Sequence, residues 1–563
     1  MPAWRGADGG HRCHRSAALP CPAQHAGGEL PQGQSEHHVP SPSGRSPQGA
    51  HHDQVAELEP KPFPPGRYPL IVVGSGPGGL QLTYCLTRLG IDHAVLSQDD
   101  APGGMFRRWP VFQRMLSWTK PYTGFDRSSR EYERYDWNSL LAEEESCRGV
   151  MPGVMDGTSY FPSRPEMERG LVLFAERTGV RVRYGCRWET TRKDAGGDLV
   201  LGTSDGEYRA PIVVFAVGVA QPFRPPIPGL ADVPHYGELR SVETYADRRV
   251  FIIGKQNSGF EIASGLLPWA RQIILASPSP AKLSVNTHSL VGVRARYVQP
   301  YEDSVLAGGV IILDASIEEV KRAGTVYQVS TRNARENLSL VVEVDDVIAA
   351  TGFTAPLRDL PELGVRTVGQ SRLPVQTPFW ESASVPGIYF AGTINQGSQG
   401  MMKHGIPSNS GAVQGYRYNA RVLARHLAEA HFGVKTARRP MAADEVIPFM
   451  CAEARYGPEL WHQRSYLAHV ISIDADRGIV DEGISPLATF VDLEGPDGAA
   501  IALESNGHDD LYPIVYVRRH GAAVKEHLLP GHPLLDFERD EHRSAIAAAL
   551  EPLLSPSLSR PRS

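Results

Sequence analysis

The stretch that decides the fold reads Tyr68-Pro69-Leu70-Ile71-Val72-Val73-Gly74-Ser75-Gly76-Pro77-Gly78-Gly79. A short apolar, β-branched run ending in glycine is the pattern of a strand buried on both faces of a parallel sheet. From Leu80 to Leu89 the apolar residues fall at helical spacing, Gly90 closes the segment, and Ala94-Val95-Leu96 supplies a second short strand. The order is therefore strand, glycine turn, helix, strand. In that context Gly74, Gly76 and Gly79 fit the G-x-G-x-x-G pattern. The first glycine permits the tight turn and the second lets backbone approach a pyrophosphate. The third lets helix and strand pack closely over an anion held at the helix N-terminus. A dinucleotide is expected across Gly74, Ser75, Gly76, Pro77, Gly78 and Gly79. An acid is expected about 20 residues on, for the ribose hydroxyls. Here Ser97 holds that position, and Gln98, Asp99 or Asp100 are the alternatives.

The same unit recurs. Arg249 to Ile253 is an apolar run ending at Gly254, a helix-like stretch runs from Gly259 to about Trp269, and Gln272 to Ala276 is the following strand. Its turn, Gly254-Lys255-Gln256-Asn257-Ser258-Gly259, carries Gln256 in place of the middle glycine. Ser277 stands 23 residues after Gly254, as Ser97 does after Gly74, and Lys282 follows. With no carboxylate there to repel a 2′-phosphate, NADPH is expected over NADH. Two such units imply two nucleotide sites.

Composition sets the frame around them. The 563 residues include 56 glycines and 46 prolines, 41% hydrophobic and 21% charged residues, with a net charge of −6. That balance excludes collagen-like, coiled-coil and wholly disordered classes, and it offers no basic surplus for nucleic acid or an anionic membrane surface. The 6 cysteines are scattered with no Cys-x-x-Cys pair, so neither a disulfide framework nor a redox dithiol is expected. Residues 1–64, rich in Gly, Pro, Ser, Gln and His, are expected to be a disordered extension; His11, Cys13 and His14 within them match no familiar zinc spacing, and no metal site is expected. Without an apolar leader or an 18-residue apolar run, the chain reads as cytoplasmic.

Four blocks resemble flavin-containing monooxygenases and microbial amine N-hydroxylases. Gly103-Gly104-Met105-Phe106-Arg107-Arg108-Trp109 is similar to their Gly-Gly-x-Trp segment after the FAD ribose acid. The Gly254–Gly259 turn is similar to their NADPH fingerprint. Asp346 to Phe353, with Ala350-Thr351-Gly352, resembles the strand returning from the NADPH domain, and Gly387 to Thr393, with Gly392, the closing FAD strand. The resemblance implies an α/β fold of two Rossmann-like domains. An NADPH domain (236–343) is inserted in an FAD domain (65–235 and 344–444), and a small C-terminal α/β domain follows (445–563). It assigns FAD to the first turn with Gly104, Met105, Phe106, Trp118 and Trp188 as further contacts, and NADPH to the second with Asn257 and Ser258 near the nicotinamide.

The implied reaction is oxygen transfer from dioxygen through a hydroperoxyflavin. Two family marks are altered. His235 sits at the wrong spacing for the histidine between the two nucleotide domains and reads as a structural loop residue. Ser117-Trp118-Thr119-Lys120 lacks the asparagine of the corresponding segment. If Val291 to Tyr301 is extended, Arg294 and Arg296 project to one side and suit a carboxylate, with Lys120 and Arg114 adding to the field. Solvated charges or contacts to the NADPH phosphates are the other readings of those arginines. Gly254–Glu261 together with Lys403-His404-Gly405 and Gln414–Tyr418 resembles actinomycete amino-acid N-oxygenases, one of which converts aspartate to nitrosuccinate. The expected substrate is accordingly a small, acidic amino acid, with Lys120, Asn257, Arg294 and Arg296 as its candidate catalytic residues. Carbonyl or sulfide oxygenation, NADPH oxidation and a non-catalytic flavin-binding sensor are the alternatives. Homo-oligomerisation is left open.

Overall fold

The computed structural model describes residues 61–554 apart from 285–291, 295, 299–308, 334–336, 402–407, 475, 506–510 and 520–521. The expected extension over residues 1–60 and the Lys403-His404-Gly405 block lie outside the described residues. The fold itself starts earlier than expected. Arg183 donates to the carbonyls of Lys61 and Pro62, and Tyr208 donates to that of Phe63, whose ring packs against the core, so 61–64 belong to the folded body rather than to an extension.

The opening run forms the strand Leu70–Val73 inside a four-stranded parallel sheet. The order is Ile388–Phe390, Ile212–Phe215, Leu70–Val73, Ala94–Leu96. Side chains alternate across it, as the period of two requires. Leu70 and Val72 pack beneath the helix Pro77–Arg88 with Leu80, Leu86 and Leu423, while Ile71 and Val73 pack on the other face with Trp188, Leu201 and Phe390. Pro77 opens the helix, where its missing N–H costs nothing. A second, mixed sheet (Gly66–Arg67, Gly206–Ala210, Leu199–Thr203, Trp188–Lys193), parallel only in its first pair, covers that lower face.

The repeat is reproduced in a second parallel sheet, ordered Val310–Asp314, Gln272–Ser277, Arg249–Ile253, Asp346–Ala349, with the helix Asn257–Leu266 after its glycine turn. An antiparallel meander, Ser316–Ala323, Val326–Asn333 and Leu338–Val344, lies beside it. Asp346–Ala349 pairs with Arg249–Ile253, so the chain leaves the second sheet after 349 and not at the expected boundary of 344. The last segment builds a six-stranded antiparallel sheet from Arg439–Met441 to Lys525–Leu528, flanked by the helices Val446–Tyr456 and Asp540–Leu554. No helix of the described residues is long and apolar enough to cross a membrane.

Candidate functional site

At the end of Leu70–Val73 the backbone turns with Gly74 at φ 116°, where a β-carbon would stand 2.5 Å from the Ala216 carbonyl oxygen. Gly79 is equally constrained, its would-be β-carbon 2.0 Å from the Gly74 oxygen, and that of Gly78 2.5 Å from the Gly392 α-carbon. These glycines let three pieces of backbone meet. Gly76 differs from them: a β-carbon there would meet nothing nearer than the Gly104 α-carbon at 4.0 Å, and the residue faces a cavity of about 790 Å³. That volume lies in the range of roughly 300–1,000 Å³ usual for ligand pockets. A backbone cradle open at one glycine, at the start of a 12-residue helix, fits the pyrophosphate of a dinucleotide.

Of the expected contacts, Gly74 to Gly78, Ser97, Gln98, Gly104, Met105, Phe106, Trp188 and Gly392 line this cavity. Ser97 does not stand in for the missing acid by itself. Its hydroxyl pairs with that of Ser75 at 2.8 Å and accepts the Asp99 N–H at 3.2 Å, tying the first strand end to the second. Asp99 brings a carboxylate into the cavity wall two residues later. Burial pushes its pKa up, opposed by Arg108 and Arg107. Asp100 is 84% exposed and pairs with Arg107 at 3.1 Å, so Asp99 is the one alternative among the acids that the fold delivers to the cavity. Trp118 is not brought there; its ring lies against Trp137, centroids 5.0 Å apart. Arg108, Thr393 and Tyr416, which lie in family-like blocks but carry no assigned role there, also line the wall, as do Ala216 to Gly218, Leu357 and Arg358, which no block contains. The Ile212–Phe215 run followed by Ala-Val-Gly was the available signal for Ala216 to Gly218. Nothing local marks Leu357 or Arg358.

The second turn repeats the backbone and changes the side chains. Gly254 has φ 125° and a would-be β-carbon 2.3 Å from the Ala350 oxygen; that of Gly259 is 2.3 Å from the Gly254 oxygen. Gln256 is exposed and supplies no side-chain cap to the helix. Lys255 is corrected from cofactor contact to internal brace: it is 1% exposed, and its ammonium donates to the Leu313 carbonyl at 2.7 Å and is paired with Asp314. Asn257 is likewise committed, donating to the Gly292 carbonyl at 3.0 Å and accepting the Arg294 N–H at 3.0 Å. It therefore moors the 292–294 segment to the start of the helix. Ser258 is half-buried at the start of that helix, Ser277 ends its strand with its hydroxyl 3.4 Å from the Ser279 carbonyl, and Lys282 is exposed. Ala350 closes over Gly254, the Thr351 hydroxyl donates to the Phe223 carbonyl at 2.5 Å, and the Gly352 carbonyl accepts from Phe223 N–H.

The expected arginine pair is not formed. Arg296 stands in helical backbone, which breaks the strand-like alternation; its guanidinium donates to the Met115 carbonyl at 3.3 Å and lies over the Phe161 ring. Arg294 sits by Asn257 with a buried Nε that has no partner, and burial lowers its pKa. Lys120 is exposed and outside the residues that line the cavity. Arg114 donates to the Phe161 carbonyl. His235 is fully buried with Nε2 3.1 Å from the Gly352 carbonyl oxygen, and burial lowers its pKa. It bridges the 235 and 352 backbone segments. A single thiol, Cys186, lines the cavity; burial pushes it up to about 11.

Two parallel sheets, each with a glycine turn, one of them opening on a large cavity, define a two-dinucleotide oxidoreductase fold. The chain belongs to the pyridine nucleotide-disulphide oxidoreductase family, whose model matches residues 71–392. It is 26% identical to FAD-dependent oxidoreductase domain-containing protein 2 of Mus musculus over 442 residues, 71% of this chain and 64% of that protein. It is 24% identical to the probable indole-3-pyruvate monooxygenase YUCCA4 of Arabidopsis thaliana over 414 residues, 64% of this chain and 94% of that protein. The chain thus spans less than two-thirds of the first of these relatives. Among solved structures it is similar to the ornithine N-hydroxylase of Kutzneria sp. 744, with a TM-score of 0.49 and 16% identity, covering 65% of this chain and 100% of that one.

Proposed function

We propose that the chain is an FAD-dependent, NADPH-using monooxygenase. One observation carries the reading: the open cradle at Gly76 leads into a cavity whose described wall holds one lone cysteine, Cys186. Electrons arriving there have no dithiol relay, which leaves dioxygen and a small substrate as acceptors. The YUCCA likeness, to proteins named as monooxygenases, supports the same reading. In it, Gly76 and Gly78 would hold the FAD pyrophosphate, Asp99 beside the Ser75–Ser97 pair would hold the ribose, and Trp188 and Tyr416 line the same cavity. NADPH would be held at the Gly254–Gly259 turn, with the exposed Lys282 for its phosphates. FAD, once reduced, supplies oxygen activation; the protein's part is orientation and exclusion of water.

The finer proposal is N-oxygenation of the amino group of a small amino acid, aspartate being the first to test. With Arg296 spent on Met115 and Phe161, a substrate carboxylate would meet Arg294 alone. Attack requires a neutral amine, so turnover rises with pH across the alkaline range. The second reading, oxygenation of a carbonyl, is favoured by the YUCCA likeness, since indole-3-pyruvate is a ketone acid. The test is oxygen and NADPH consumption with product analysis across amino acids, oxo acids and thioethers. Hydroxylamine or more oxidised nitrogen products support the amine; with catalase present to remove free peroxide, an oxo acid converted to the one-carbon-shorter acid and carbon dioxide supports the carbonyl. Quantitative recovery of oxygen as peroxide with every compound overturns both in favour of an NADPH oxidase.

A further inference from the structure

The C-terminal segment carries no chemical motif, yet one of its buried side chains braces the entry to the helix whose first turn lines the cavity. Gln463 follows the short helix Pro458–His462 and is fully buried. Its Oε1 accepts the Asn409 N–H at 2.7 Å and its Nε2 donates to Asn419 Oδ1 at 2.8 Å. Asn419, also fully buried, donates in turn to Ser410 Oγ at 2.8 Å and Ser408 Oγ at 3.2 Å. Beside this relay the Asn409 side chain donates to the His462 carbonyl at 2.9 Å, and the Tyr466 hydroxyl pairs with that of Ser398 at 2.6 Å. The contacts are tight enough to dictate sequence: a β-carbon on Gly415 would stand 1.8 Å from the Asn409 oxygen and 3.3 Å from Gln463 Nε2.

What is held in this way is the entry to the 20-residue helix Val413–Phe432. Its first turn carries Tyr416, which lines the cavity together with Gly392 and Thr393. The N-cap residue, Ala412, offers no side-chain cap, and no acid stands in the first turn. The partial positive charge of that helix end is therefore not neutralised by its own sequence. A buried amide with both ends bonded fixes position more firmly than an apolar residue of similar size, because any shift strands a donor and an acceptor away from water.

We propose that Gln463 is a positioning residue for the flavin: through it the C-terminal segment sets the start of Val413–Phe432 against the cavity and tunes cofactor affinity and potential. This rests on the FAD reading above. The test uses the full chain, deflavinated and titrated with FAD, followed by measurement of the midpoint potential of the reconstituted protein. Gln463→Leu is expected to weaken FAD binding roughly tenfold, the worth of one or two buried hydrogen bonds, and to shift the midpoint potential. Tyr516→Phe, which removes a 2.5 Å bond to Glu504 within that segment's sheet, is expected to lower thermal stability and leave both flavin readouts at their wild-type values. Equal FAD affinity and potential in Gln463→Leu and wild type overturns the proposal. If Gln463→Leu does not fold, Gln463→Glu decides by the same readouts. It keeps the acceptor for the Asn409 N–H and loses the donor to Asn419, and a weaker FAD affinity supports the role while an unchanged one overturns it. Wild-type protein that binds no FAD overturns the cofactor reading itself, before any variant is compared.

Discussion

The two glycine turns share a backbone and differ in what their side chains are spent on. In the first, Gly76 leaves the helix start open to a cavity, and the only side-chain bond inside the turn, Ser75 to Ser97, holds two strand ends together. In the second, Lys255 is buried against Asp314 and Asn257 moors the 292–294 segment, while Gln256 points to solvent. A turn that fits a glycine pattern less well can thus keep the backbone geometry intact, provided the substituted side chain leaves the turn. In the function proposed above, the first turn would hold a resident FAD and the second a visiting NADPH.

The largest effects should come from the glycines that let backbone touch backbone. Gly78→Val places a side chain where the Gly392 backbone already is, and purified protein should retain no FAD. Gly259→Val, blocked by the Gly254 oxygen, should keep its flavin and lose NADPH oxidation by roughly a hundredfold. Loss of both cofactors from either variant would break the separation of the two turns. A change remote from both turns gives the next effect. His469 is buried; burial alone would lower its pKa, but hydrogen bonds to Asp481 at 2.7 Å and Glu453 at 2.8 Å outweigh it and push it up to about 9. Because the folded value exceeds the unfolded one, the stabilisation is complete below about pH 6.5 and is lost as pH rises through about 9, a difference of about 3 kcal/mol. Denaturant titrations of wild type and His469→Gln should therefore diverge most at about pH 6 and converge near pH 10, with FAD content unchanged.

Smaller effects sharpen the contrast within the second turn. Asn257→Ala frees the Gly292–Arg294 segment and should raise the Michaelis constant for NADPH roughly tenfold with flavin content unaltered. Gln256→Gly restores the pattern's middle glycine, yet the exposed side chain it removes touches little, so NADPH kinetics should stay within about twofold of wild type. A large gain in NADPH affinity would mean that Gln256 obstructs the site.

What could be read from the sequence was what backbone geometry imposes locally. Gly74, Gly79, Gly254 and Gly259 are legible because no other residue fits a turn at positive φ or a carbonyl at 2.0–2.5 Å. The parallel strands are legible because burial on both faces demands a continuous apolar run. Side-chain destinations were not legible. Lys255 and Asn257 fit a cofactor pattern by position, but their partners, Asp314 and Gly292, lie 59 and 35 residues away. Arg294 and Arg296 would share a face only in extended backbone, and a helical turn at Arg296 separates them. Arg358 and Gln463 reach the cavity or its brace from segments with no motif, so only tertiary contact reveals them.

The central claim is that the first turn holds FAD and the second delivers NADPH to it. Its most direct test is to purify the full chain, count flavin per polypeptide, and add NADPH and then NADH under anaerobic conditions while following the oxidised flavin absorbance. The account predicts one FAD per chain, bleached by NADPH and far more slowly by NADH. Protein that carries no flavin, or flavin that NADPH leaves oxidised, would contradict it.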